Sequence, residues 1–405
     1  MDNVYTSKQM ELLRIWQRGE LKRINLLSGS VRSGKTWISL VLWAFWVAMR
    51  PADGSYLMAA KTLTALHRNC LNLLQELVGE NNFSFSISKK EGTLFGRKVY
   101  FEGVNDIRAE NKIRGLTLDG AYCDELTLFS EDFFAMLLSR LSRPGAKLFA
   151  TTNPDSPYHW LKVNYIDAAE KRGLSLLFLN FLLEDNTTLD AEYVENLKKE
   201  YTGVFYDRFI LGRWVVAEGL IYSMFNPSVH VKNLSGMKFD QYYISVDYGT
   251  QNPTVFLLFG HCSGKWYGIK EYYYSGRERQ KQKTDGEYAD DMMEFIGNIP
   301  YTRIIIDPSA ASFIAELKKR GLRVKAGKND VIDGIRFAGS LFAKGDLYLS
   351  DSMKRTISEI QAYTWDPKAT EKGEDKPLKE NDHCMDAMRY FAYTVLKGGG
   401  VSILK

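Results

Sequence analysis

Cysteine is scarce: there are four in 405 residues, Cys70, Cys123, Cys262 and Cys384, with no paired spacing among them. That excludes a disulfide framework or a zinc ribbon and leaves ordinary thiols in a reducing compartment. Long apolar runs are missing too. The longest, Trp37 to Met49, covers 13 residues, short of the ~20 that a bilayer-spanning helix needs. The segment MDNVYTSKQMELL is polar and of mixed charge, without the apolar stretch of an export signal, so a cytosolic protein is expected. Neither charge sign dominates: 53 Lys and Arg stand against 49 Asp and Glu, a net charge of +4. Such a balance permits a nucleic-acid partner without arguing for one, and binding must be argued from local sites. Internal repeats are absent, and the one low-complexity segment is the charged PKATEKGEDKPLKEND at 367–382. What is present is a globular composition, 45% hydrophobic and 25% charged, in a chain long enough for two cores.

Short apolar runs at 24–27, 56–60, 99–101, 121–123, 148–150 and 176–179 alternate with helical patterns, which predicts a parallel α/β sheet. A charged helical stretch at about 185–213 follows, expected as a small subdomain of a first domain spanning 1–213. The irregular stretch 214–237, with Gly219, Pro227 and Gly236, is the candidate linker. From 238 to 405 the texture changes. YYISVDYGT, TVFLLFG and KWYGIKEYYYSG predict an antiparallel meander; a helix, the buried strand RIIIDP, another helix and a final helix HCMDAMRYFAYTVL follow. This mixed-sheet order is that of a ribonuclease-H-like domain.

Residues 29–36 read GSVRSGKT between a predicted strand and a predicted helix, the setting a phosphate-binding P-loop requires. Gly29, Ser30, Val31, Arg32, Ser33 and Gly34 supply backbone N–H groups around phosphate. Lys35 reaches the β- and γ-phosphates, and Thr36 contacts Mg²⁺. AYCDE at 121–125 ends an apolar run with two acids. Asp124 is the candidate second Mg²⁺ ligand and Glu125 the candidate general base, a pairing that favours ATP hydrolysis over transfer to another acceptor. Thr151, Thr152 and Asn153 end a strand at the ligand-binding edge of such a sheet, and are read either as γ-phosphate sensors or as a plain exit into a turn. Arg32 is a candidate stabiliser of transition-state charge, or a solvated residue. Gln9 is a candidate reader of the adenine edge, or a surface residue.

In the second half Asp247 and Asp307 each end an apolar β-run, where packing explains a carboxylate poorly. Asp382 and Asp386, four apart, share one helical face. Asp247, Asp307 and Asp386 together fit two divalent cations ~4 Å apart for phosphodiester cleavage, with hard oxygen donors selecting Mg²⁺ or Mn²⁺. His383 is read as an orienting group or a cap, and Asp333 as the start of a helix. The basic stretches 318–328 and 276–283 suit a phosphate backbone without reading sequence.

Taken in order, GSVRSGKT, the 124–125 acids, TTNP at 151–154, GRWVVAEGLIY at 212–222 and the VDYG, IIIDP and DHCMDAMRY aspartates resemble the large subunit of tailed-phage terminases, and are similar to its PBSX-type branch. The resemblance covers nearly the whole chain. It implies an ASCE-type ATPase that drives double-stranded DNA into a procapsid through the portal, followed by an endonuclease that cuts concatemers. It also implies Lys35 and Thr36 on ATP–Mg²⁺, Asp124 and Glu125 in hydrolysis, 151–153 as a coupling motif, and Asp247, Asp307 and Asp386 as nuclease ligands. The implied partners are a small terminase subunit and further copies of the chain in a ring on the portal, in the host cytoplasm and with no membrane. One departure stands out: Asp119 and Gly120 interrupt the apolar approach to the 124–125 acids. The competing readings are an ATP-gated transposase-like or repair nuclease without translocation, and an assembly adaptor whose nucleotide site only switches conformation.

Overall fold

The computed structural model describes residues 5–105, 109–249 and 252–397. They form two compact units. The first runs to Val194 and takes in Tyr206–Val216 and Lys372–Glu374; the second takes Glu195–Phe205, Ala217–Glu371 and Asp375 onward. The division runs through the helix Ala191–Glu200, inside the stretch expected as a subdomain of the first domain alone.

In the first unit the strands are β1 (Ile24–Gly29), β2 (Ser55–Ala60), β3 (Phe83–Ser86), β4 (Glu91–Leu94), β5 (Arg97–Gly103), β6 (Gly120–Cys123), β7 (Lys147–Thr152) and β8 (Leu176–Phe181). They form one sheet in the order β3-β4-β5-β2-β6-β7-β1-β8, parallel from β5 to β8. All six residues of β1 are buried, as a strand covered on both faces requires. Neighbours along it serve opposite cores. Leu27 packs with Trp43 and Trp46 of the helix Lys35–Ala48, whereas Leu26 packs with Phe133, Phe134 and Leu137 of the helix Glu131–Arg140. The antiparallel hairpin β3–β4 at the sheet edge lies outside the sequence expectation, because FSFS and EGTL are too short and too polar to signal strands.

The departure at 119–120 has a packing cause. A Cβ on Gly120 would lie 2.4 Å from the Trp46 ring. Asp119, also buried, accepts a hydrogen bond from Ser55 N (3.2 Å) and sits 3.8 Å from Arg50. Both positions serve the sheet start, so β6 is only four residues long.

In the second unit β9 (Val231–Lys232), β10 (Gln241–Asp247), β11 (Thr254–Cys262), β12 (Lys265–Tyr274), β13 (Arg303–Ile306), β14 (Val324–Ala326) and β15 (Leu347–Ser350) make a mixed sheet ordered β14-β13-β10-β11-β12-β15-β9. The meander β10-β11-β12 is antiparallel, and β13 runs parallel to β10. The C-terminal helix His383–Phe391 seats on this sheet by stacking Phe391 on Phe259, ring centroids 4.0 Å apart.

The stretch expected as a linker is not a tether. It holds the helix Pro227–His230 and β9, which pairs with β15, and His230 Nε2 lies 3.0 Å from the Phe342 carbonyl oxygen. The helix Val331–Lys344 is the one expected to start near Asp333; the helix Lys354–Ala362 lies outside the expectation, and the charged segment 367–382 contains the short helix Pro367–Glu371. Asp333 falls in the first turn of Val331–Lys344, with Asp330 at the N-cap.

Candidate functional site

The loop 29–36 leaves β1 and turns into the helix Lys35–Ala48 through two left-handed residues, Arg32 (φ 58°) and Gly34 (φ 83°). Gly29 is forced: at φ 141° a Cβ would fall 1.8 Å from the Phe181 carbonyl oxygen. Ser30 N donates to Phe181 O (2.8 Å), Val31 N to Phe209 O (2.8 Å), and Ser30 Oγ to Ile210 O (2.7 Å), so neighbouring segments brace the loop. Asn186 Nδ2 holds the Arg32 carbonyl at 2.7 Å. No side chain caps the helix at Gly34, and the buried Ser33 Oγ has no hydrogen-bond partner. The helix N-terminus therefore offers uncompensated donors, the pattern that accepts an anion. Gln9 is buried next to the loop, its Nε2 2.9 Å from where a Gly34 Cβ would stand and its Oε1 accepting from Thr6 N (3.0 Å).

The strand ends then supply acids. Asp124, buried at the end of β6, accepts from Thr151 Oγ1 (2.8 Å) and from Asn69 Nδ2 (3.4 Å). Glu125 adopts a left-handed backbone (φ 55°), an uncommon conformation for a side-chain-bearing residue and one that clusters at functional sites. Its Oε2 accepts from both Asn153 N (3.1 Å) and Asn153 Nδ2 (2.9 Å). Asn153 Oδ1 in turn accepts from Lys35 Nζ at 2.7 Å, and Lys35 also donates to Ser30 O at 3.1 Å. Burial pulls the Lys35 ammonium below its ordinary pKa, against the attraction of Glu125 and Asp124. Burial raises Glu125, with Lys35 opposing.

The three residues 151–153 divide. Thr151 and Asn153 face the acids, while Thr152 turns away to Thr127, accepting from its N (3.1 Å) and donating to its Oγ1 (2.8 Å). A cavity of about 680 Å³ opens onto Arg32, Lys35, Thr36, Asp124 and Glu125. Arg68, Asn69, Asn72 and Glu76 line it as well; they come from a segment whose π-helical turn His67–Leu71 leads into the helix Asn72–Val78. Sequence reasoning misses these four, since nothing local distinguishes them from surface residues. The donor set fits a magnesium triphosphate: uncapped N–H groups and Lys35 for phosphate, and Thr36 and Asp124 for the ion.

In the second unit the register of β10 and β13 pairs Val246 with Ile306, so Asp247 and Asp307 leave adjacent parallel strands side by side. The C-terminal helix brings Asp386 and, just before it, Asp382. Each acid is already held. His383 Nδ1 lies 2.9 Å from Asp247 Oδ2. Lys379 Nζ donates to Asp382 Oδ2 (2.8 Å) and Asp386 Oδ2 (3.0 Å), and Arg389 Nη2 to Asp386 Oδ1 (2.9 Å). Asp307 accepts from the Tyr390 hydroxyl and from Ser309 N (2.7 Å). Burial raises the Asp247 carboxyl, with Asp386 and Asp382 adding to it and His383 opposing. For His383, burial works against protonation, but the bond to Asp247 prevails and its pKa rises.

Among the described residues no three His, Cys, Asp or Glu stand close enough to hold a metal ion as placed. The expected ligands Asp247, Asp307 and Asp386 are met instead by histidine, lysine and arginine side chains and a tyrosine hydroxyl. An ammonium bridging two buried acids is nonetheless a stand-in for a cation, so the donor chemistry fits a hard divalent ion once Lys379 yields. The basic stretches are likewise partly committed. Lys283 pairs with Asp291, Arg320 with Asp290 and Glu316, and Lys281 lies 3.6 Å from Glu287.

Residues 26–227 match the family described as terminase large subunit, T4likevirus-type, N-terminal. The large terminase of a thermophilic bacteriophage superposes with a TM-score of 0.91 at 40% identity, covering 97% of this chain and 100% of that one. The same terminase solved in complex with ATP-γ-S gives 0.88 at 40% identity, over 97% and 99%. The terminase large subunit of Escherichia phage T5 is 26% identical over 282 residues, 66% of this chain and 62% of the T5 protein, so that alignment spans under two thirds of its length. With the cavity over the loop 29–36 in one unit and the strand-end acids in the other, these likenesses show that the chain belongs to the phage terminase large subunits.

Proposed function

We propose that the two units divide the work of a genome-packaging motor: the first hydrolyses ATP to drive double-stranded DNA into a procapsid, and the second cuts the concatemer. The convergence of Lys35, Asp124 and Glu125 on one cavity carries this reading, and the thermophilic-phage relative solved with ATP-γ-S supports the nucleotide. The first unit is read as an ASCE-type P-loop domain and the second as a ribonuclease-H-like domain.

ATP enters with its phosphates on the N–H groups of 32–36, those of Ser30 and Val31 being taken by Phe181 and Phe209, and with its base toward Gln9. Lys35 exchanges Asn153 for phosphate oxygens. Thr36 and Asp124 would hold Mg²⁺, which supplies charge neutralisation on the phosphates. Glu125 orients and deprotonates the attacking water once its carboxylate leaves Asn153. Because Asn153 bonds to both Lys35 and Glu125, and Thr151 to Asp124, loss of the γ-phosphate is felt at the end of β7, which suits a coupling role. Arg32 is the charge stabiliser on the loop itself.

In the second unit Asp247, Asp307 and Asp386 would hold Mg²⁺ or Mn²⁺, which supplies an activated water and a stabilised leaving oxygen. The protein's own part is to orient Asp247 through His383 and to fix Asp386 through Arg389. Portal, small subunit and sister copies in a ring complete the motor in the host cytoplasm. No helix among the described residues is long and apolar enough to cross a membrane. The test is ATP-driven uptake of duplex DNA into portal-bearing procapsids, with nuclease-protected DNA as the readout. Intact nicking with no uptake refutes the motor reading and favours a plain nuclease.

A further inference from the structure

The acids of the second unit carry two cations of the chain itself, and these differ in how firmly they are fixed. Arg389 is 2% exposed and locked on Asp386 Oδ1, with Asn329 Oδ1 3.4 Å away. Lys379 is the opposite case. Its side chain is 62% exposed, yet its ammonium reaches two carboxylates that are only 6% and 13% exposed, Asp382 at 2.8 Å and Asp386 at 3.0 Å. The backbone beside it is pinned, since Leu378 N donates to Thr364 O at 2.9 Å. Only the long side chain is free to swing. A lysine ammonium on a flexible stem is a displaceable point charge, unlike the planar, buried guanidinium of Arg389.

We infer that Lys379 is a tethered plug in the nuclease centre: its ammonium, anchored on Asp382, occupies the Asp386 oxygen that a divalent cation needs, and so sets the cation concentration at which the centre loads. The inference rests on reading Asp247 and Asp386 as metal ligands. With the plug in place Asp382 and Asp386 are met by the chain's own cations, Lys379 and Arg389. The centre stays assembled without metal. A divalent ion brings twice the charge and binds carboxylate oxygens at about 2.0–2.1 Å for Mg²⁺, closer than the ammonium, but it must first evict Lys379 into solvent. That eviction delays loading and would suppress adventitious cleavage at low divalent concentration.

The experiment is calorimetric titration of the full chain with Mn²⁺ alone, without DNA or nucleotide, in wild type, Lys379→Ala, Lys379→Met, Lys379→Arg and Asp247→Ala. The binding event abolished by Asp247→Ala defines the centre. It should tighten about tenfold in Lys379→Ala and Lys379→Met and stay near wild type in Lys379→Arg; Met keeps the stem should Ala fail to fold. In wild type, amine labelling of Lys379 followed by mass spectrometry should rise as Mn²⁺ is added. Unchanged or weaker Mn²⁺ affinity in both neutral variants, or labelling indifferent to Mn²⁺, overturns the plug while leaving the metal centre standing. Binding seen only in the neutral variants supports it in its strongest form. If no chain shows an Asp247-dependent event, the metal reading falls and the plug falls with it.

Discussion

Glu125→Gln isolates the charge of one carboxylate oxygen pair. The side chain is half-buried beside Lys35, with its Oε2 on two N–H donors of Asn153. Glutamine keeps an acceptor oxygen for Asn153 and nearly the same volume, so packing changes little. What it loses is the ability to take a proton from water. General-base catalysis is worth roughly 10²–10⁴ in rate, which at about 1.4 kcal/mol per decade is roughly 3–5 kcal/mol of barrier. Burial already disfavours the charged form, so the substitution costs the fold nothing beyond the lost attraction to Lys35. The expected result is phosphate release slowed at least a hundredfold at saturating ATP, with fluorescent-nucleotide affinity within a few-fold of wild type and an unchanged melting temperature. Turnover within tenfold of wild type would refute the assignment of Glu125 as base. A parallel collapse of nucleotide affinity would instead mean that Glu125 holds the loop rather than the water.

Other outcomes follow from the same geometry. Asp247→Ala should abolish plasmid cleavage in Mn²⁺ while ATPase activity stands; persisting cleavage removes Asp247 from the centre. Gly29→Ala should fail to fold or lose more than about 4 kcal/mol, because the new Cβ lands 1.8 Å from the Phe181 carbonyl oxygen, and a soluble variant with normal ATP binding would contradict the packing argument. Glu359 is buried, accepts from Cys384 N at 2.7 Å, and has its pKa pushed up by burial to about 7 from 4.5. The folded form therefore keeps its proton where the unfolded chain has lost it, so stability present below about pH 4.5 is lost as pH rises through 7, by up to roughly 3 kcal/mol. Glu359→Gln should flatten the difference in melting temperature between pH 5 and pH 8 seen by calorimetry; an unaltered slope would place the titration elsewhere.

Much of this protein is written locally. The loop GSVRSGKT, bounded by an apolar strand and an apolar helix, specifies its own turn, because glycine placement and strand-to-helix periodicity act over a few residues. The same holds for Asp124, Asp247 and Asp307, each the polar end of a buried run, and for the six parallel strands of the first sheet. The tertiary structure alone decided which of these side chains meet. That Thr151 and Asn153 face the acids while Thr152 faces Thr127 depends on the pairing of β7 with β6 and on the alternation of side chains along a strand. That Asn69 reaches Asp124 depends on the turn packed over the sheet edge. In the sequence Lys379 is one more charge in a solvated loop; it becomes the partner of two acids only because the loop and the C-terminal helix converge. Sequence patterns encode backbone periods and apolar faces; contacts between residues far apart in the chain follow from strand order and register, which no short window of residues contains.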